Sequence, residues 1–256
     1  MDLSGNMQCS EAGSQAIRLF FTLGRWCLWQ SATAPSQGDF WPDGEVLPCN
    51  EGCADVGFLP MMQRRRLSPL ARAASAVAWH CWRKCGDMPA VFFSSHGESQ
   101  YYFEMLHGIA EREEASPSRF SLCVHNAIAG LSSLHRASFL PYVSLAGGTE
   151  GIFAAFLEAA GQLLDTPRVL VVCYGQALPE TYRAYLATAD STWALAMVLA
   201  RAGGPGRQLR LVRRPGNSQA VAAGDGQSLV QAILDGRRSS PCPLGRSLWL
   251  WSLDDA

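Results

Sequence analysis

Apolar runs and helical stripes follow one another along this chain after a polar start. Residues 1–16 are small and polar, and we expect them to be disordered. The apolar, aromatic segment 17–29 predicts a first strand, whereas 31–59 is rich in Pro, Gly, Ser and Asp and predicts a long irregular loop. Ser68-Pro69 then opens a helix that ends near Gly86, because apolar residues recur between them at helical spacing.

The remainder of the chain alternates between strand and helix patterns. Strands are predicted at 91–95, 142–146, 168–174, 208–213 and 247–251, while 193–201 fits either a helix or a strand. Helices are predicted at 100–112, 124–134 and 151–164, the last strongly apolar. Strands interleaved with helices indicate an α/β protein with a buried, largely parallel sheet.

Composition excludes several classes of protein. The 256 residues are 48% hydrophobic and 17% charged with a net charge of −1, which suits one substantial core and gives no support for nucleic-acid binding. No segment approaches the ~20 uninterrupted apolar residues of a membrane helix, so no membrane insertion is expected. The nine cysteines are odd in number and scattered, which predicts reduced thiols and a cytoplasmic location.

A glycine-rich motif lies between the strand 142–146 and the apolar helix 151–164. In Gly147-Gly148-Thr149-Glu150-Gly151, backbone N–H groups and the helix dipole are able to hold an anion or an oxyanion. A tight turn with Thr149 as helix cap explains the motif equally well. The G-x-G-x-x-G order of dinucleotide-binding loops is missing, and no cofactor is expected.

Two further clusters invite a catalytic or metal-binding interpretation. Ser94-Ser95-His96 and Glu98 contain nucleophile, base and acid, but residues adjacent in sequence rarely form a triad. Cys49-x3-Cys53 and Cys81-x3-Cys85, with His80, suggest a zinc site, yet this spacing suits one helical turn better. We therefore expect no metal, and cysteines that are buried or incidental.

Two polar groups have alternatives that the residues alone leave open. Arg64-Arg65-Arg66 precedes the helix at Ser68 and forms either a solvated face or a docking site for an acidic partner. His125-Asn126 is followed by Ala129-Gly130, where small residues allow close helix packing. The bland interpretation of this pair is buried polar support for a helix start.

Taken together, these motifs resemble the N-terminal half of β-ketoacyl synthases. The matching pattern runs through Ser116-Pro117, 124–130 (V-H-N-A-I-A-G), Pro141, 143–146 (V-S-L-A), the helix 151–160 and the strand 168–174. The sequence motifs are similar in particular to those of the ketoacyl-synthase-like proteins of aryl polyene clusters, which are described as chain-length factors. The shared motifs are R-R-R-L-S at 64–68, S-H-G-E at 95–98, S-L-x-V-H-N-A-x-A-G-L at 121–131 and L-E-A-A at 157–160. The resemblance spans about 17–255 and is most specific between 59 and 175.

This resemblance implies a fold and the loss of a reaction. The fold would be a thiolase-like α/β half-domain over 17–256, a single N-terminal half of the ketoacyl-synthase layered fold. Counted from Asn126, the nucleophilic cysteine of a true synthase falls on Thr149, and no cysteine occurs between Cys123 and Cys173. The second half of a synthase supplies two catalytic histidines, and no histidine follows His135 here. Independent condensation is therefore not expected.

The resemblance also implies a partner. Synthases of this kind pair as dimers, so we expect a heterodimer with a catalytic ketosynthase, which this chain stabilises and whose acyl tunnel it shapes. The residues expected to shape the interface or the tunnel are His125, Asn126, Gly147, Gly148, Thr149 and Glu150. The helix 151–164 would present the apolar surface that a missing half leaves open. A separate interpretation of the arginine run is a module that docks an acyl carrier protein through Arg64, Arg65 and Arg66. The alternative is a stand-alone acyl transferase or thioesterase that uses Thr149 or Ser95.

Overall fold

The computed structural model describes residues 16–31, 40–111, 116–146, 151–183, 185, 191–215, 226–244 and 247–255. The strands are β1 (Ile17–Gln30), β2 (Gly44–Val46), β3 (Ala90–Phe93), β4 (Tyr142–Leu145), β5 (Arg168–Gly175), β6 (Trp193–Arg201), β7 (Arg207–Pro215), β8 (Ser239–Leu244) and β9 (Ser247–Asp254). The helices are α1 (Met61–Arg64), α2 (Pro69–Cys85), α3 (Ser99–Ala110), α4 (Pro117–Cys123), α5 (Ala127–Arg136), α6 (Phe153–Gln162), α7 (Glu180–Arg183) and α8 (Gln227–Leu234).

All the described strands belong to one mixed sheet. Its order is β4-β3-β5-β6-β1-β7-β9-β8, and β2 lies against β1 off this path. The pairs β3–β4, β3–β5 and β1–β2 are parallel. The other pairs, β5–β6, β1–β6, β1–β7, β7–β9 and β8–β9, are antiparallel. The prediction of an α/β protein is confirmed, but the prediction of a largely parallel sheet is wrong. A strand buried on both faces, such as β6, has the same continuous apolar run in either direction.

Helices cover both faces of the sheet. On one face α6 and α8 pack over a core that includes Trp249, whose ring stacks on that of Phe153 with centroids 4.6 Å apart. On the other face α2 lies across β5, β6 and the second half of β1, with α5 beside it. The α6 side chains that bury against the sheet include Phe156 and Ala159. The two faces therefore hold two separate apolar clusters.

The helix predicted from Ser68 is confirmed at both ends. The Ser68 hydroxyl accepts a hydrogen bond from the amide of Ala71 at 2.8 Å, and Pro69 occupies the first turn. Gly86 follows the last helical residue with a φ of +80°, a conformation that favours glycine.

Several other segments differ from the predictions or resolve an alternative that the sequence leaves open. The segment 31–59 contains β2, where Gly44 lies so close to Trp26 that an added Cβ would overlap the indole ring. The ambiguous segment 193–201 is a strand, and α5 begins at Ala127, after a turn. Apart from Ala16, the expected disordered tail 1–16 lies outside the described residues.

No helix in the described part of the chain combines the length and the apolar character that a membrane crossing requires.

Candidate functional site at the carboxyl edge of the parallel strands

Three neighbouring strands end at the same edge of the sheet. β4, β3 and β5 are adjacent and parallel, so the loops that follow them start side by side. The loop after β3 contains the 95–98 motif, and β5 continues into Gln176. β4 continues towards Gly147, Gly148, Thr149 and Glu150, which lie outside the described residues. Loops at the carboxyl ends of parallel strands commonly carry functional groups, which makes this edge the candidate site.

The turn after β3 is held by its own hydrogen bonds. The Ser94 hydroxyl accepts from the amide of Gly97 at 2.9 Å, and the Ser94 amide donates to the carbonyl of Leu145 at 3.1 Å. Gly97 has a φ of +52°, and a Cβ added there would lie 3.1 Å from Nδ1 of His125. Ser94 therefore serves the turn, and Gly97 allows the ring of His125 to approach it closely.

Glu98 connects this turn to the start of α2. Its side chain is buried, with 5% of the residue exposed, and its Oε1 accepts a hydrogen bond from the Ser68 hydroxyl at 2.6 Å. The same hydroxyl caps α2, so one chain of hydrogen bonds joins the two motifs. Burial raises the pKa of Glu98 to about 7, against the smaller lowering effect of the Ser68 hydrogen bond.

Further polar atoms near Glu98 are buried without a hydrogen-bond partner among the described residues. They are Oε2 of Glu98, the hydroxyl of Tyr174 and Nε2 of His125. Burial and the nearby Glu98 carboxylate raise the pKa of the Tyr174 hydroxyl. The hydrogen-bonding capacity of these three atoms is unused within the described residues, and the link between the turn and α2 is the bond from Ser68 to Oε1 of Glu98.

A pocket of about 280 Å³ opens beside the turn. Its lining includes His96, Gly97, Glu98, Tyr102, Cys123 and His125. Burial, first, and the Glu98 carboxylate, second, raise the pKa of the Cys123 thiol, which donates to the carbonyl of Arg119. A raised pKa keeps the thiol in its neutral form, which is a weaker nucleophile than the thiolate.

The structure places the predicted site residues in three different settings. His125 is half-buried against the turn after β3, and Asn126 is exposed at the start of α5, where its side chain makes no capping hydrogen bond. Ser95 is half-buried and His96 is exposed in the same turn. The structure thus brings His125 to the S-H-G-E motif, while the positions of Gly147, Gly148, Thr149 and Glu150 stay a prediction.

The arginine run before α2 is divided by its surroundings. Arg65 and Arg66 are exposed, whereas Arg64 is half-buried and its carbonyl accepts from the guanidinium of Arg72 at 2.8 Å. Arg65 and Arg66 are therefore the two members of this run whose charges are accessible to a partner.

The two cysteine motifs lie in different settings: Cys81 is buried, Cys49 and Cys85 are partly buried, and Cys53 is exposed. Cys27 and Cys81 are fully buried, and burial raises the pKa of Cys81 to about 12. Nε2 of His80 lies 3.0 Å from a carboxylate oxygen of Glu45, and burial lowers the pKa of His80. Within the described ranges, no group of three or more His, Cys, Asp and Glu side chains is arranged to hold a metal ion.

Sequence reasoning missed the pairing of Ser68 with Glu98. Both residues lie in sequence motifs, R-R-R-L-S and S-H-G-E, whose local patterns indicate docking and catalytic interpretations rather than a contact between them. The available signal was a glutamate directly after an apolar strand and a turn, a position where an unpaired carboxylate is costly.

The mixed sheet with helices on both faces agrees with the layered α/β fold that the resemblance to β-ketoacyl synthases implies. A family model described as "Beta-ketoacyl synthase, N-terminal domain" matches residues 26–252. The chain belongs to this family.

Similar solved structures come from ketosynthases. One is the "Ketosynthase (ApeO) in Complex with its Chain Length Factor (ApeC) from Xenorhabdus doucetiae", with a TM-score of 0.69, 23% identity, and coverage of 91% of this chain and 99% of that chain. "The ishigamide ketosynthase/chain length factor" has a TM-score of 0.51 and 10% identity, and 73% of this chain covers 59% of that chain.

A third match is a β-ketoacyl synthase from Burkholderia phymatum STM815, with a TM-score of 0.50 and 14% identity, where 73% of this chain covers 58% of that chain. The chain therefore spans under three-fifths of this longer synthase. No curated protein matches the sequence.

Proposed function

We propose that this chain is a non-catalytic ketosynthase-like subunit of the chain-length-factor type. It pairs with a catalytic β-ketoacyl synthase in aryl polyene or related fatty-acid-like polyketide biosynthesis, stabilises that subunit and shapes its acyl tunnel. The observation that carries this proposal is the match, over nearly the whole length of both chains, to a chain from a ketosynthase complex with its chain-length factor. Two surface features support a partner of this kind.

The first feature is the open edge of the sheet. Among the described strands β4 pairs with β3 alone, through bonds such as that from the amide of Ala90 to the carbonyl of Pro141. Because bonded residues alternate in a parallel ladder, Tyr142 and Ser144 direct their backbone groups away from β3. An edge with free N–H and C=O groups is a template for a strand of another chain.

The second feature is exposed apolar surface, part of it beside β4 and part of it on α3. Near the start of β4, Phe139 is 100% exposed and Leu134 is 77% exposed. On α3, Tyr102, Leu106 and Ile109 share one helix face at i, i+4 and i+7, and all three are exposed. Apolar patches of this kind mark a protein interface, and a ketosynthase partner that pairs with β4 would cover Phe139 and Leu134 beside it.

The apolar helix 151–164 contributes little to this surface. Its large side chains Phe153 and Phe156 are buried against the sheet, and Leu164 beyond the end of α6 is its exposed large residue. The prediction that this helix presents the exposed apolar surface is wrong, because its large apolar side chains pack against the sheet. A helix that covers one face of a sheet uses its apolar stripe there, before any partner binds.

Co-expression with the ketosynthase encoded nearby, followed by mass determination of the purified species, tests the pairing. We expect a tight 1:1 complex and a chain that aggregates when it is produced alone, because its apolar surface then meets water. A well-behaved monomer that does not bind the ketosynthase would overturn the proposal.

Substitution of Thr149 distinguishes a non-catalytic subunit from an independent enzyme. Replacing Thr149 with alanine should leave condensation by the complex within about twofold of wild type, since a threonine without an adjacent base is a poor nucleophile. Replacement of the nucleophilic cysteine of the ketosynthase partner is the control and should abolish product. Loss of condensation in the Thr149 variant would favour the alternative, an acyl transferase or thioesterase that uses Thr149 or Ser95.

Arg65 and Arg66 are proposed to contact an acyl carrier protein. Reversing both charges to glutamate should weaken carrier binding by about tenfold, because exposed ion pairs contribute up to about 1 kcal/mol each and are replaced by repulsion. Titration of the carrier into the complex measures the affinity, and sedimentation of the complex checks that the heterodimer is intact. Unchanged carrier binding would dismiss this contact.

The proposed location is the cytoplasm. Seven cysteines of the described part of the chain are free thiols: Cys27, Cys49, Cys53, Cys81, Cys85, Cys123 and Cys173. Unpaired cysteines in this number are typical of a reducing compartment.

A further inference from the structure

One face of the sheet is covered over only part of its width. α2 packs on β5, β6 and the second half of β1, and the buried cluster beneath it contains no residue of β7, β8 or β9. On this same face, the first half of β1 continues into β7, β9 and β8 with no described helix over it. Phe20 illustrates the result, since it lies in the first half of the 14-residue strand β1 and is 50% exposed.

The strand registers identify which side chains share this uncovered face. Directly opposed residues in an antiparallel pair project to the same side, and Phe20 opposes Arg210, which opposes Ser252. The next row contains Arg18, Val212, Leu250 and Pro241. A third row contains Arg214, Leu248 and Pro243. We call these rows the β7 face.

The β7 face is apolar at its centre and positive around it. Val212, Leu250 and Pro241 line a groove of about 410 Å³ together with Arg210 and Arg214. Arg210 lies over the ring of Phe20, with the guanidinium carbon 5.5 Å from its centroid, and its charge stays exposed.

The positive charge of the β7 face is balanced by few carboxylates among the described residues. Arg18, Arg210 and Arg214 are all exposed, and their described surroundings on this face include one carboxylate, Asp254, which lies one row beyond Arg210 beside Gln208. An apolar groove flanked by arginines is complementary to a partner surface that has an apolar stripe with acidic residues on both sides of it.

The geometry also indicates the secondary structure of the partner. On the neighbouring strands the same face is covered by a helix, α2, so a helix laid along β7 would continue that layer. Arg210 and Arg214 are four strand residues apart, which is roughly 13 Å. Acidic residues seven or eight positions apart on a helix are about 10–12 Å apart on one side, which matches this separation.

We propose that the β7 face binds an acidic amphipathic α-helix of a partner protein. This surface lies towards the β8 edge of the sheet, away from β4, so the helix and the ketosynthase bind different sides of the chain. The inference does not depend on the ketosynthase pairing.

Fluorescence anisotropy with a defined probe tests this site on the full chain. The probe is a labelled peptide of about 18 residues, long enough to form a helix, with leucines on one face and glutamates on both flanks. We expect saturable binding that weakens as salt rises. The double variant Arg210→Glu and Arg214→Glu should bind at least about tenfold more weakly, and Leu250→Ser should bind several-fold more weakly.

Matched controls separate a site from general charge attraction. Arg83→Glu with Lys84→Glu makes the same charge change on exposed positions at the end of α2 and should leave binding within about twofold. A peptide with lysine in place of glutamate should not bind. Thermal unfolding checks that each variant is folded.

Three results would overturn the proposal. They are no binding of the acidic peptide, equal binding by the Arg210 and Arg214 double variant, and equal weakening by the Arg83 and Lys84 control. Self-association of the chain that the Arg210 and Arg214 reversal abolishes would assign the face to a second copy instead, and would overturn the helix proposal as well.

Discussion

Replacing Ser144 with proline should separate the chain from its ketosynthase while leaving its own fold intact. Ser144 lies in β4, and the ladder alternation directs its backbone N–H to the open edge rather than to β3. Proline lacks that donor but is tolerated on an edge strand when the missing N–H faces outward. The partner strand would be left with an unsatisfied buried carbonyl, which costs about 1–3 kcal/mol and corresponds to a complex about 5-fold to 150-fold weaker.

The matched control is Ser144→Ala, which removes the hydroxyl and keeps the backbone donor. It should bind the ketosynthase within about twofold of wild type, because the Oγ of Ser144 makes no hydrogen bond among the described residues. Dissociation constants from analytical ultracentrifugation, with circular dichroism as the fold check, compare the two variants. A proline variant that pairs as tightly as the alanine variant would show that β4 is not the contact strand.

Replacing Glu98 with glutamine should stabilise the chain at alkaline pH. The folded-state pKa of Glu98, about 7, lies above its ordinary value of 4.5 because the carboxyl is buried. The folded protein therefore binds this proton more tightly than the unfolded chain does, and stability falls as pH rises from about 4.5 to about 7. Glutamine keeps an oxygen acceptor for Ser68 and carries no charge, so the variant should avoid this loss.

The expected gain is about 3 kcal/mol at pH 8, with little difference at pH 4.5, since each pKa unit corresponds to about 1.4 kcal/mol. Urea unfolding of both proteins across this range measures the difference in the free energy of unfolding. Glu104→Gln is the control, because Glu104 is an exposed residue of α3 paired with Arg119 and should give no comparable pH dependence. A Glu98 variant with a pH-independent difference would contradict the buried, protonated carboxyl.

Ser68 and Glu98 show that a sequence motif can be predicted while the contact it makes cannot. The helix from Ser68 to Gly86 was predictable because its cap, its proline and its apolar spacing are all local in sequence. The bond from Ser68 to Glu98 was not, because it joins positions 30 residues apart that meet only when β3 and α2 pack together. Local signals specify an element, and packing decides which polar groups it brings together.

The missed elements have similarly physical causes. β8 contains Pro241 and Pro243, which argue against a strand in sequence. The sheet tolerates them because β8 is at its edge and pairs with β9 alone among the described strands. The short helix α8 acquires its apolar partners only from the sheet it covers, so its eight residues give a weak periodic signal.

The sequence alone determined the alternation of strands and helices, the boundaries of α2, and the motifs that resemble the β-ketoacyl synthase N-terminal half. The family match over residues 26–252 agrees with that resemblance. Tertiary structure decided the direction of β6, the burial of Glu98 beside Ser68, the open edge of β4 and the arginines gathered on the β7 face. Periodicity records which side of an element is apolar, whereas strand direction, ion pairing and exposed surfaces depend on contacts between residues far apart in the chain.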